Sequence, residues 1–443
     1  MTNKTSLLKL PNISRSAFNI GVVLLFSLGF VFFIQQILES PRFDALKYLE
    51  LAQQVNSNGI ASIKEPIRTF AYIWILSLVS KISYFLNLPI NLLIFLTQLF
   101  TYYLAIIVVS NVVNSHSRIL SSTIYVLLCA NIFVIPYSGI TLTDSFYTSI
   151  CLFLFGGMMW IEFLQKSEQF ISTKWIFWGV LLLSLAITIR PAAVWLLLPI
   201  SFCLVRLLWN KSINIFDVLL AILLGAIPLY IQIVLNVINY KVISFLPVTD
   251  LGSFQIKWGI ENIKYATWLG GGNPQNFYSS AALINIPTQD FTLWWYFNNL
   301  IDAVKLLIVK LIGAFDFDYL MPYPYYRSNQ WFLSFFSFTI FWLGLCGIII
   351  HLFTNKLKLL GSRYMPLIIF IGWCSVSLIS ALELRFTLPL ISYFIIVASV
   401  VMYFAIVERN KTILLFIGAG WIICMPVFYQ ISHFIRLQST IQG

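Results

Sequence analysis

The chain has 443 residues, of which 60% are hydrophobic and 10% charged, and its formal charge is +11. A soluble domain usually carries about 25% charged residues, so ordinary globular burial is excluded. Nucleic acid is not expected as a partner either, because the Lys and Arg residues are scattered at the ends of apolar runs and form no cluster.

Apolar runs of about 20 residues recur along almost the whole chain, the length a bilayer-crossing helix requires. The runs are continuous and do not alternate, and in hydrocarbon every backbone polar group needs an internal partner, so helices are expected in place of a barrel. The expected fold class is all-α: a polytopic transmembrane helix bundle of about 11–13 spans.

In chain order, Lys4, Lys9 and Arg15 assign the N-terminal tail to the cytoplasm. The run from Phe18 to Ile37 is read as a retained first helix, since no small-residue cleavage site follows it. Residues 38–69 then form an outer loop whose Phe43-Asp44-Ala45-Leu46-Lys47-Tyr48 stretch is amphipathic and expected along the membrane surface. Runs follow at 70–86, 88–112, 119–136, 145–163, 175–190, 192–209 and 217–238. Inside loops are marked by Lys166 and Lys174, Arg206 and Lys211, Lys356, Lys358 and Arg363, and Arg409 and Lys411. Counting back, 136–144, Arg190, 239–330 and 382–386 fall outside. Three runs separate the first outer loop from 136–144, so either 70–86 or 119–136 is expected not to cross fully.

Residues 239–330 are the long polar stretch, expected as an outer loop with local structure, rich in turn residues at Lys257-Trp258-Gly259 and Trp268-Leu269-Gly270-Gly271-Gly272-Asn273-Pro274. The glycines are no P-loop, because no Gly-Lys-Ser/Thr follows. An amphipathic run at 294–314 is interrupted by Asp302, Lys305 and Lys310, and four more apolar runs lie near 331–353, 364–381, 386–407 and 412–430. The expected organisation is an N-terminal transmembrane module (1–238), an outer region (239–330) and C-terminal transmembrane helices (331–443). All six cysteines lie in apolar runs and read as core residues; His116, His351 and His433 are far apart and carry no metal motif.

Sorted by expected side, Glu162, Glu168, Asp217 and Glu408 fall inside and the other twelve of the sixteen acids outside. Several of these sit at helix mouths, where ionisable groups are expensive and often functional. For each a plain alternative stands. Asp44 reads equally as a solvated loop acid, Asp144 as a helix-start residue, Arg190-Pro191 as a corner with a snorkelling arginine, and Glu383 with Arg385 as a local ion pair.

Taken together, Phe43-Asp44-Ala45 with Tyr48 and Ala52, Thr143-Asp144-Ser145-Phe146, Arg190-Pro191 and Glu383-Leu384-Arg385-Phe386 resemble the GT-C superfamily. These are membrane glycosyltransferases that use lipid-phosphate sugars, among them protein mannosyltransferases and bacterial aminoarabinose transferases. The family's first loop often has two adjacent acids, whereas Ala45 follows Asp44 here, which leaves the subfamily and a divalent metal open. The resemblance implies an inverting hexosyl- or pentosyltransferase at the outer face of a bacterial plasma membrane. Its partners would be a polyprenyl-phosphate-linked sugar donor, a lipid, glycan or protein acceptor, and membrane lipids, with no cofactor. It further implies Asp44 as base, Asp144 sharing that role or orienting the acceptor, Arg190, Arg327 and Arg385 as phosphate ligands, Glu383 orienting Arg385, and Tyr48 in the substrate site. The aromatic segment Phe315–Arg327 reads as a sugar or lipid-head site, or equally as an interfacial aromatic belt.

Two other classes are weighed against it. A lipid-linked polysaccharide polymerase or ligase would place paired arginines and a histidine in the large outer loop, and 239–330 holds one arginine and no histidine. A transporter or lipid flippase would place charged or helix-breaking residues at mid-membrane in matched halves, and no internal repeat is found.

Overall fold

The computed structural model describes residues 13–37, 43–166, 172–248, 250–266, 276–287, 291–317, 319–320, 330–354 and 357–440. The chain divides into two compact units, one of residues 1–248 with 358–365 and the other of 249–357 with 366–443.

Among the described residues the first unit holds ten α-helices: α1 (Arg15–Ile37), α2 (Asp44–Asn58), α3 (Phe70–Leu86), α4 (Ile90–Asn114), α5 (Arg118–Cys129), α6 (Thr143–Lys166), α7 (Thr173–Ile189), α8 (Leu197–Trp209), α9 (Ile215–Gly225) and α10 (Ile227–Tyr240). Helix α2 is amphipathic as expected: Ala45, Leu51, Ala52 and Val55 are buried while Lys47 and Glu50 reach solvent. The expected run 217–238 is broken into α9 and α10, bent by 45°. Pro228, in the first turn of α10, has no N–H to continue the helical ladder across Ala226. Helix α5 has 12 residues and rises about 18 Å, short of a hydrocarbon core about 30 Å thick. It is the shorter of the two helices in the stretch where the crossing count did not close.

Small residues set the closest approaches. A Cβ on Gly225 of α9 would stand 2.8 Å from Cβ and Cγ1 of Val180 on α7. Gly225→Val is therefore expected to overpack this contact and cost about 1–3 kcal/mol. Thermal unfolding in detergent checks this, and an unchanged midpoint would show that α9 stands farther off.

The second unit contains α11 (Leu251–Glu261), α12 (Leu293–Asn298), α13 (Leu300–Ala314), α14 (Gln330–Thr354), α15 (Met365–Ser377), α16 (Leu388–Val407) and α17 (Lys411–Leu437). A small antiparallel sheet of order β1-β2-β3 is built from β1 (Asn262–Ala266), β2 (Asn276–Ser279) and β3 (Ser439–Thr440). The expected helical run 294–314 is two helices, parted at Asn299. Helices α14 and α16 pack tightly because Gly344 leaves room for the ring of Phe394.

Among the described residues, seven helices are long and apolar enough to cross a membrane, or eight if the bent pair is one span. Four shorter apolar helices, α3, α5, α7 and α15, accompany them. The chain is an all-α, integral, multi-pass membrane protein, and the expected 11–13 spans counted these shorter helices as crossings. All six cysteines are free, four of them buried.

Candidate functional site

The polar groups of the first unit converge where α2, α3, α6 and α7 begin or end. Asp44 lies in the first turn of α2 and Asp144 in the first turn of α6, where the partial positive charge of a helix N-terminus favours a carboxylate. The approach to α6 is clamped by side chains: Gln36 Nε2 donates to the Pro136 carbonyl (2.9 Å) and Gln98 Nε2 to the Ile140 carbonyl (2.8 Å). Arg190 closes α7 in an extended conformation (φ −145°, ψ 110°), as a residue before proline prefers. Its guanidinium donates to Asp144 and lies over the Tyr147 ring, 5.8 Å from the centroid. The Trp195 indole donates to the Tyr147 hydroxyl at 2.7 Å.

Asp44 is held by Arg68, whose Nη2 lies 2.5 Å from Oδ1, while Nη1 of the same arginine stands 3.4 Å from Glu65. Burial works against the Arg68 charge, but Asp44, Tyr48 and Glu65 outweigh it and raise its pKa above the ordinary value. The segment carrying Arg68 is anchored by α10: Asn239 donates to the Ile63 carbonyl (2.8 Å), and Gln232 Oε1 accepts from the Phe70 amide (2.9 Å). Arg68 also lies over the Tyr48 ring (5.4 Å), and Tyr48 meets Tyr72 edge-on at 5.1 Å. Tyr72 is within electrostatic reach of both Tyr48 and Asp144. Asp44, Tyr48, Asp144 and Arg190, expected from the sequence, thus belong to one linked cluster with Glu65, Arg68 and Tyr72, which were not singled out. Arg68 did leave a signal, an arginine in a loop assigned to the outer side, against the charge rule.

Two features decide what this cluster can do. The Asp144 side chain is 0% exposed and that of Asp44 is 36% exposed, so of these two carboxylates Asp44 is the one open to solvent. The hydroxyls of Thr69 and Tyr72 are buried and have no hydrogen-bond partner among the described residues. Buried polar groups are normally satisfied, and an exception points to strain, a catalytic role or a bound water or ion.

In the second unit, Glu383 is fully buried, pairs with Arg385 and accepts from the Tyr319 hydroxyl at 3.5 Å. The Tyr265 amide of β1 donates to the Leu382 carbonyl at 2.8 Å, which ties this corner to the sheet. Arg327 lies outside the described residues. The sequence reading missed a larger buried network. Asp316 sits 3.1 Å from Lys264 Nζ and 2.6 Å from Arg436 Nη2, and its Oδ1 also accepts from the hydroxyls of Ser334 (2.7 Å) and Ser432 (2.8 Å).

Lys310 of α13 is also buried, donating to the carbonyls of Gly259 (2.7 Å) and Ser380 (2.8 Å). Burial pushes its amine down to about 7 from 10.5. Between those values the unfolded chain binds more protons, so stability rises with pH across this window. Lys310→Met is expected to flatten that rise in thermal unfolding followed from pH 6.5 to pH 9. The same slope in both proteins would assign it to other groups.

No protein-family model and no curated protein sequence matches the chain.

Proposed function

We propose that the chain is a membrane glycosyltransferase of the GT-C type, moving a sugar from a polyprenyl-phosphate-linked donor to an acceptor at the outer membrane face. The observation that carries this reading is the cluster of the first unit: a partly exposed carboxylate and a buried one, each held by an arginine, beside two buried hydroxyls without partners among the described residues. Polyhydroxylated substrates satisfy such hydroxyls, and guanidinium forks match phosphate oxygens.

In the reaction, Asp44 takes the proton from the acceptor hydroxyl as its oxygen attacks the anomeric carbon. The bond from that carbon to the phosphate oxygen breaks, and polyprenyl phosphate leaves with the electron pair. Arg68 and Arg190 stabilise the charge that develops on the phosphate. Asp144, buried against Arg190, orients that arginine, and Tyr48 with Tyr72 lines the sugar. Nucleotide sugars are cytoplasmic, so a lipid carrier is the donor that reaches an outer face, and a bacterial plasma membrane suits this reading.

The test is release of free polyprenyl phosphate from a panel of polyprenyl-phosphate sugars by the purified chain. Release from at least one donor in the presence of a membrane-extract acceptor is expected. No release from any of them would remove the reading.

A further inference from the structure

Three amide side chains, Gln232, Asn236 and Asn239, share one side of α10 at spacings of four and three. Gln232 and Asn236 are buried, and their hydrogen bonds leave each a single orientation. Asn236 Nδ2 donates to the carbonyls of Ser244 (2.9 Å) and Phe245 (2.8 Å), so its Oδ1 is the atom that accepts from Gln232 Nε2 at 3.0 Å. Gln232 must then turn Oε1 toward α3, where it accepts from the Phe70 amide at 2.9 Å. Asn239, one turn on, holds the Ile63 carbonyl in the same loop.

Phe70 is the first residue of α3 and Thr69 is its N-cap. A threonine in that place usually turns its hydroxyl onto the amide of the second or third helical residue. Thr69 has the extended backbone of an N-cap (φ −87°, ψ 157°) and makes no such bond. Its hydroxyl is buried without a partner among the described residues, as is that of Tyr72 in the first turn of α3. The residue before Thr69 is Arg68, which holds Asp44 and reaches Glu65. The Gln232 bond fixes the plane of the Thr69–Phe70 peptide, and with it the place of Thr69 beside that arginine.

We infer that Thr69 is a specificity residue, its hydroxyl pairing with a hydroxyl of the transferred sugar, and that Gln232 is the positioning residue that keeps it there. The inference rests on the transferase reading and deepens it. Gln232 supplies from α10 the anchoring that a local cap would give the start of α3, so the threonine hydroxyl is left for the substrate. A hydroxyl donates and accepts, which suits a sugar hydroxyl, and Tyr72 offers a second such group. A site that pairs with a substrate hydroxyl discriminates against an analogue that lacks it.

The test uses the purified full chain, the panel of polyprenyl-phosphate sugars and, for a donor that turns over, each of its monodeoxy analogues. Wild type is expected to prefer the full donor to one of these analogues about tenfold in kcat/KM, as the loss of one hydrogen bond implies. Thr69→Val is expected to treat that pair alike, and folded Gln232→Leu to lose the same preference as the hydroxyl turns back onto α3. Thermal unfolding gives a readout free of turnover. Thr69→Val should match or exceed the wild-type midpoint, because its hydroxyl has no partner to lose, and should lower the midpoint when added to Gln232→Leu. A full preference kept by Thr69→Val, or a lowered midpoint in that single variant, would overturn the role of Thr69. A folded Gln232→Leu that keeps the preference would overturn the role of Gln232. No turnover of any donor by wild type would instead remove the transferase reading on which both roles rest.

Discussion

Asp316→Ala is expected to destabilise the chain by about 3–5 kcal/mol, because it leaves two cations in the second unit without their shared carboxylate. The Lys264 and Asp316 side chains are both 0% exposed, and Arg436 reaches the same carboxylate from the end of α17. Burial by itself would raise the Asp316 pKa; Lys264, Arg436 and the Ser334 hydroxyl outweigh it and hold the carboxyl well below the usual carboxylate range. A carboxylate depressed in the folded state stabilises it fully above its unfolded pKa of about 4. That contribution is lost as the pH falls through the folded value. Wild type and Asp316→Ala are therefore expected to differ by a constant amount from pH 8 to pH 5 and to converge only in stronger acid. Asp316→Asn can still accept from Ser334 and Ser432 but lacks the charge, and it should fall between the two. Thermal unfolding in detergent measures all three. Equal midpoints at pH 7 for wild type and Asp316→Ala would mean that the network contributes nothing to the fold.

Asp44→Asn and Asp144→Asn should fail in different ways, and the contrast separates catalysis from structure. Asp44 is partly exposed, so its amide should fold normally and lose about 10²–10⁴-fold in sugar transfer, the usual worth of a positioned base. Asp144 is buried against Arg190. Neutralising it strands a buried guanidinium, so a loss of about 3–5 kcal/mol in stability should accompany any loss of turnover. Unfolding midpoints and turnover measured on the same preparations decide the matter. An Asp44→Asn protein that is both unstable and inactive would make Asp44 a structural partner of Arg68 and not a base.

The fold class was legible because bilayer hydrocarbon imposes one rule on every span, and runs such as 88–112 and 386–407 obey it without long-range help. The start of α6 was legible too, since Thr143-Asp144 marks a helix N-terminus locally. What could not be read were pairings set by tertiary structure. Asp144 meets Arg190 across 46 positions and Asp316 meets Arg436 across 120, and no spacing rule links such residues. Lys264 and Lys310 looked like ordinary charges in a polar stretch, yet both are fully buried, because carbonyls and a carboxylate from distant segments close around them. Pro228 was visible, but a proline near a helix start breaks a span only when the chain must turn there, and packing decides that.

The most direct test of the transferase account follows one turnover of a polyprenyl-phosphate sugar labelled at its anomeric carbon, with membrane-extract acceptor and purified wild-type or Asp44→Asn protein. The account predicts that wild type releases one polyprenyl phosphate for each glycosylated acceptor, with the anomeric configuration inverted, and that Asp44→Asn leaves the donor intact. Equal donor consumption by the two proteins, or a product of retained configuration, would contradict it.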